Sequence, residues 1–247
     1  MSIESEHDWR GLRAAGKVVR LVLAEMTKAV RPGATTAEVD AVAGRVLAEH
    51  GARHAPRRLL GFPADSCISV NDEAVHGLPG ERVIRAGDLV KLDVVAEKDG
   101  YMADAAVTLA VPPVTEEKRR LVQCARSAFF QAMKVARAGT RLGEIGRVVE
   151  DETRRCGFTV MRELGGHGIG RTMHEPPHVP NYHDSRDRTV LTEGLVITVE
   201  PIIAARSGRA VEAGDGWTLR TADGGLSAHH EHTIVITRGR PVLLTAA

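Results

Sequence analysis

A chain of 247 residues, 43% of them apolar, can bury a sizeable core, and with aromatics at only 3% that core must be built from Ala, Val, Leu and Ile. Basic and acidic side chains number 33 and 32, a formal charge of +1 that excludes the basic footprint of a nucleic-acid-binding protein. No apolar run approaches the ~18 residues of a membrane helix, the polar start is unlike a signal peptide, and Cys67, Cys124 and Cys156 are too scattered for a disulfide framework or a CxxC knuckle, so a reducing cytoplasm is expected.

Apolar residues at helical spacing in "ESEHDWRGLRAAGKVVRLVLAEMTKAV" predict a first helix, stopped by Pro32-Gly33. Thr35 to Glu38 has the pattern of a capping box, and the helix it opens should run to Gly51. The basic run Arg53 to Arg58 reads as a solvated loop. "SCISV" (66–70) and "DLVKLDVVAE" (88–97) read as strands, and after a "KDG" turn "YMADAAVTLAV" returns as a third. A long amphipathic helix follows over 115–139, then another over about 142–156, ended by Gly157. The stretch "GGHGIGRTMHEPPHVPNYH" (165–183) is too rich in Gly and Pro for a helix or a long strand. Strands are expected at 194–204, 216–222, 226–237 and 241–245.

A shift of 106 residues lays Gly33 on Gly139, Glu38 on Glu144 and Gly51 on Gly157. That order of helix, Gly, helix, Gly and strands suggests a duplicated unit, although helices share a period by chance as well. Residues 1–247 therefore read as one α+β domain with two related halves, an antiparallel sheet inside and helices outside.

Asp93 and Asp104 lie among apolar residues on the two arms of the hairpin, eleven positions apart. With an even-residue turn that spacing puts both on one face. Two carboxylates on an apolar face repel and lose solvation; a shared proton or a cation would relieve them, as would a bulge or exposure of one of the pair. Taken alone, such a pair reads as one Asp facing water. His167 in "GGHGIG", Glu200 in "LVITVEPII" and Glu231 in "SAHHEHTIVIT" change that reading, because strand-borne acids in apolar surroundings are seldom buried unpaired. Four acids and one His make a set able to hold two divalent metals sharing a water.

Five segments carry a resemblance: "CISVNDEAVHGLP", "KLDVVAEKDGYMAD", "GHGIGRTMHEPPHVPNY", "GLVITVEP" and "SAHHEHTIVIT". In order and spacing they resemble the type I methionine aminopeptidases, of the pita-bread fold, in the short bacterial form; the likeness runs from "RAAGKVV" to the last strand. The resemblance implies a pseudo-two-fold antiparallel sheet covered by helices. It implies Asp93, Asp104, His167, Glu200 and Glu231 as ligands of two divalent ions (Co, Mn, Fe or Zn), with Asp93 and Glu231 bidentate or bridging and Glu200 also the general base. It implies that His76 bonds the scissile amide and His174 the oxyanion of the tetrahedral intermediate. The substrates implied are nascent polypeptide N-termini with a small second residue, met transiently at the ribosome by a monomeric cytoplasmic enzyme. Phe62, Cys67 and Trp217 match the methionine pocket, while Leu59 and Met173 stand where aromatics are usual. Val95 and Ala105 replace hydroxyl residues beside the two aspartates. His229 and His230 replace a Gln and an aromatic, adding a titratable group and a candidate nitrogen donor. His178, His183 and His232 read as structural, and His7, His50 and His54 as surface residues. Two other readings compete: a prolidase or aminopeptidase P on the same fold, and a non-catalytic binding protein built on it.

Overall fold

In the computed structural model, which describes residues 1–246, Ser5 caps α1 (Glu6–Ala29) by accepting a hydrogen bond from the Asp8 amide. Thr35 and Glu38 close both bonds of the expected capping box and open α2 (Thr36–Glu49). The run read as a basic loop is instead strand β1 (Arg53–His54) and the short helix α3 (Ala55–Leu60), which has Pro in its first turn and ends at the left-handed Gly61. Then come β2 (Cys67–Val70), β3 (Glu73–Val75) and the long hairpin of β4 (Leu89–Lys98) and β5 (Tyr101–Ala110). Helices α4 (Glu116–Val135) and α5 (Gly143–Arg155) lead into the second half. Its strands are β6 (Thr159–Val160), β7 (Gly165–Gly168), β8 (Glu175–Pro180), β9 (Val196–Val199) and β10 (Ile202–Ala204). They continue through β11 (Ala210–Glu212), β12 (Leu219–Thr221), β13 (Ser227–His229), β14 (Glu231–Val235) and β15 (Val242–Leu243).

The main sheet runs β1-β4-β5-β14-β9-β7-β8, with β2 also on β4 and β15 also on β14; two three-stranded sheets, β13-β10-β6 and β11-β12-β3, flank it. Every pairing between these strands is antiparallel. The helices cover the sheet in two pairs. Leu12, Val19, Val22 and Met26 of α1 pack with Val90, Leu92 and Val94 of β4. Leu121 and Phe129 of α4 and Val149 of α5 pack with Ile197 of β9 and Ile234 of β14. The result is the pita-bread fold.

Residues 106 positions apart share backbone geometry. Gly33 and Gly139 have φ of 90° and 87°, and Gly51 and Gly157 have 60° and 83°. The amides of Gly33 and Gly139 each donate at 2.9 Å to a carbonyl farther along the chain, those of Ile84 and Leu191. Gly51 and Gly157 directly follow the last turns of α2 and α5, where a positive φ is cheap only in glycine, while Gly33 and Gly139 lie beyond the ends of α1 at Ala29 and α4 at Val135.

Four details depart from the sequence reading. His54 is not a surface residue: pairing of β1 with β4 turns it inward, where it is 2% exposed with Nδ1 3.1 Å from the Ala64 carbonyl. The strand expected over 194–204 breaks at Glu200-Pro201, since Pro has no N–H for the ladder. The one over 226–237 breaks at His230, where the chain passes from a small sheet to the main one. The Gly- and Pro-rich stretch does form strands, but short ones, β7 and β8, with a bulge between His167 and Gly168.

Candidate metal centre

The β4–β5 hairpin turns on two residues, Asp99 and Gly100, with φ of 52° and 79°, the paired positive values of a type I′ turn. That turn fixes the register: Asp93 lies opposite Ala106, and Val95 opposite Asp104. Asp93 and Asp104 therefore share a face, as their spacing requires. Cys67 sits opposite Asp93 on β2. His167 is carried by β7, Glu200 follows the last residue of β9, and Glu231 begins β14.

All five side chains line one cavity of about 260 Å³. His167 Nε2 lies 3.6 Å from Glu200 Oε1 and 4.0 Å from Asp104 Oδ2. Its Nδ1 faces the Gly168 carbonyl at 2.9 Å, which holds the proton there and leaves Nε2 as a lone-pair donor. Thr198, two residues before Glu200 and so on the same strand face, donates to Glu200 Oε1 at 2.9 Å and accepts from the His167 amide at 3.0 Å. Thr233 likewise grips the backbone of Asp104, accepting from its N–H and donating to its carbonyl, both at 2.8 Å. Neither threonine was singled out from the sequence, although the Thr-Val-Glu spacing carries the signal for Thr198.

The electrostatics are those of a cage of acids. Burial, then the charge of Glu231, pushes Glu200 well above the usual carboxylate range. Burial, then Asp93, does the same to Glu231. Asp104 is raised by burial, by Glu231, Asp93 and Glu200, and by a hydrogen bond with Asp93; Asp93 itself is raised chiefly by burial. His167 is pushed down to about 4 by burial and by neighbouring His174. Asp104 Oδ1 and Glu231 Oε1 are buried with no hydrogen-bond partner among the described residues. Buried oxygens are seldom left unpaired. Asp104, His167 and Glu231 offer donor atoms within 4.8 Å of one another, and so do Glu200, His229 and Glu231. The two sets have Glu231 in common, and carboxylate oxygens with imidazole nitrogens are donors that suit divalent ions.

His76 and His174 stand at the mouth with part of their rings exposed. His76 follows β3 at the left-handed φ of 57°, an uncommon conformation for a non-glycine residue and one that functional sites often retain. His174 precedes β8, its ring 4.3 Å from that of His167 and at 82° to it. Burial lowers the pKa of both, so both stay largely neutral at pH 7. Phe62, Cys67 and Trp217 form a small apolar cluster on the cavity wall, with Phe62 and Trp217 edge to face at 5.1 Å, and Met173 lines the cavity too. Leu59 does not: it is 45% exposed, and the turn of α3 brings Leu60 to the cavity instead. His178, read as structural, also reaches the cavity. Ala105 faces away from Asp104, since neighbouring strand residues alternate, and packs in the core beneath α1.

His229 is 1% exposed and lines the same cavity, whereas His230 and His232 meet Phe129 edge to face on the other side. His232 Nδ1 meets the Thr245 hydroxyl at 2.9 Å, the structural role expected.

Comparison with known proteins places the whole chain among aminopeptidases of one fold. The chain is 42% identical to methionine aminopeptidase 2 of Bacillus subtilis, over 99% of each chain. It is 40% identical to a methionine aminopeptidase of Staphylococcus epidermidis, over 99% of this chain and 98% of that one. The solved methionine aminopeptidase of Thermotoga maritima superposes with a TM-score of 0.96 at 35% identity, all of each chain being covered. The prolidase of Pyrococcus furiosus shares the fold alone, with a TM-score of 0.80 at 23% identity, and this chain covers 65% of it. Residues 10–238, which span every donor of the acid cage, match metallopeptidase family M24, and the chain belongs to that family.

Proposed function

We propose that the cavity holds two divalent ions on Asp93, Asp104, His167, Glu200 and Glu231 and cuts the first peptide bond of polypeptides that begin with methionine and a small second residue. The chain is a metal-dependent aminopeptidase that removes N-terminal methionine, the activity named for relatives 40–42% identical over nearly its whole length. One observation carries the assignment of the residues: acids distant in sequence converge with an imidazole on orphaned buried oxygens, beside an apolar wall. Oxygen donors with one imidazole suit Co, Mn, Fe or Zn. When bound, the ions supply Lewis acidity toward a carbonyl and acidify a water to near neutrality.

The protein's own groups do the rest. Glu200, held by the Thr198 hydroxyl at 2.9 Å, takes the proton of the attacking water and passes it to the departing amine. His174, neutral and beside His167, donates to the oxygen that gains charge as the carbonyl is attacked. His76, across the mouth, bonds the amide beyond the cut. Phe62, Cys67, Trp217 and Met173 form the apolar, polarisable wall against which a thioether side chain packs. We read the physiological substrates as nascent chains, met at the ribosome by a monomer in the cytoplasm. No helix is long and apolar enough to cross a membrane among the described residues.

The test is peptide cleavage by metal-stripped protein with each ion restored in turn. Release of methionine from Met-Ala-Ser, faster than cleavage of Ala-Pro-Ser, is the expected result. Preference for the proline peptide would assign a prolidase-like activity, and absence of both cleavage and bound ion would assign a non-catalytic binding protein.

A further inference from the structure

We propose that His229 is a sixth donor to the metal centre, its Nε2 joining Glu200 and Glu231 so that each of two ions carries one imidazole. This rests on the metal-centre reading above and adds a ligand to it. His229 Nε2 lies 3.1 Å from Glu231 Oε2 and 3.9 Å from Glu200 Oε2. Both separations fall under the limit of about 4.2 Å for two donors on one ion. Three atoms, one from each residue, lie within 4.8 Å of one another, and the set shares Glu231 with the set formed by Asp104, His167 and Glu231.

Hydrogen bonding does not explain the ring. His229 is 1% exposed, yet neither of its nitrogens has a hydrogen-bond partner among the described residues, and the contact to Glu231 is close but not aligned for a hydrogen bond. A buried imidazole with two orphaned nitrogens is costly unless something else satisfies one of them. The backbone is built to hold this ring in place: Thr108 accepts from the His229 N–H at 2.8 Å and donates to its carbonyl at 2.7 Å. Strand alternation then aims His229 and Glu231 at the cavity and His230 at the opposite face.

A second imidazole shifts the donor set further from oxygen, toward ions that favour nitrogen, such as zinc and cobalt, over manganese. The consequence is measurable without turnover. X-ray absorption fine structure on the full chain loaded with two equivalents of zinc should count about one imidazole per zinc, and His229→Gln should lower it to about one half. Zinc affinity, read by chelator competition, should fall at least ~10-fold in His229→Gln, with a smaller loss for manganese. His230→Gln, on the far face, should leave both readings unchanged. Two zinc ions bound to the wild-type chain with only about half an imidazole each would overturn the proposal while leaving the five-ligand centre standing. That wild-type measurement decides the matter even if His229→Gln fails to fold. Failure of the wild-type chain to bind zinc at all would overturn the centre itself, and His229 with it.

Discussion

Thr198 offers a sharp test because one buried hydroxyl ties two candidate ligands together. It accepts from the His167 amide at 3.0 Å and donates to Glu200 Oε1 at 2.9 Å, in a side chain that is 0% exposed. Thr198→Val keeps the shape and deletes both bonds. A hydrogen bond contributes about 0.5–1.5 kcal/mol net, and an orphaned buried donor costs about 1–3 kcal/mol, so the variant should lose about 2–3 kcal/mol. For a chain of this length each kcal/mol is worth about 2–4 °C, giving a fall in Tm of about 4–12 °C in the presence of chelator. Thr198→Ser is the control: it keeps the hydroxyl and sacrifices one methyl, a loss of roughly 1 kcal/mol. Metal affinity should follow the same order, because groups that orient ligands are worth roughly 10–100-fold in binding. Differential scanning fluorimetry and chelator competition read the two effects. If valine and serine variants melt together and bind ions equally well, the hydroxyl is not what holds His167 and Glu200 in place.

Asp104→Asn and Glu231→Gln should each abolish methionine release while circular dichroism shows the fold intact; retained turnover removes that residue from the ligand set. His174→Ala should lower kcat by roughly 10²–10³-fold, as expected for loss of one oxyanion donor, and an unchanged kcat would deny it that role. Stability of the metal-free chain should depend on pH in a defined sense. Asp104, Glu200 and Glu231 have raised values in the fold, so their contribution is full in acid and is lost as pH rises through those values. His167 and His229, both pushed down to about 4, act oppositely, their contribution being lost as pH falls from 6.5 toward 4. Bound ions take the place of the acids' protons, so the increment in Tm on adding metal should grow as pH rises from the ordinary carboxylate range. A metal increment independent of pH would show that ions do not displace those protons.

Local chemistry was legible in the sequence wherever the cause was local. Thr35 and Glu38 announced a helix start, Gly51 and Gly157 helix ends, and the eleven-residue spacing of Asp93 and Asp104 a shared face. Those outcomes depend on propensity, capping and the period of a strand, all written in neighbouring residues. Four of the five candidate ligands are acids that stand out one at a time in apolar strands, and the fifth, His167, stands out among the glycines of "GGHGIG".

What the chain alone left open was set by partners far away in sequence. His54 reads as a surface residue until β4 pairs with β1 and buries it. Leu59 reads as a pocket residue until the turn of a six-residue helix brings Leu60 to the cavity in its place. The grip of Thr198 spans 31 positions to His167, and that of Thr108 spans 121 to His229. Burial and the meeting of like charges arise only when distant strands are pressed into one sheet, and so it was the tertiary structure that turned a scatter of acids into a cage and pointed His229 into it.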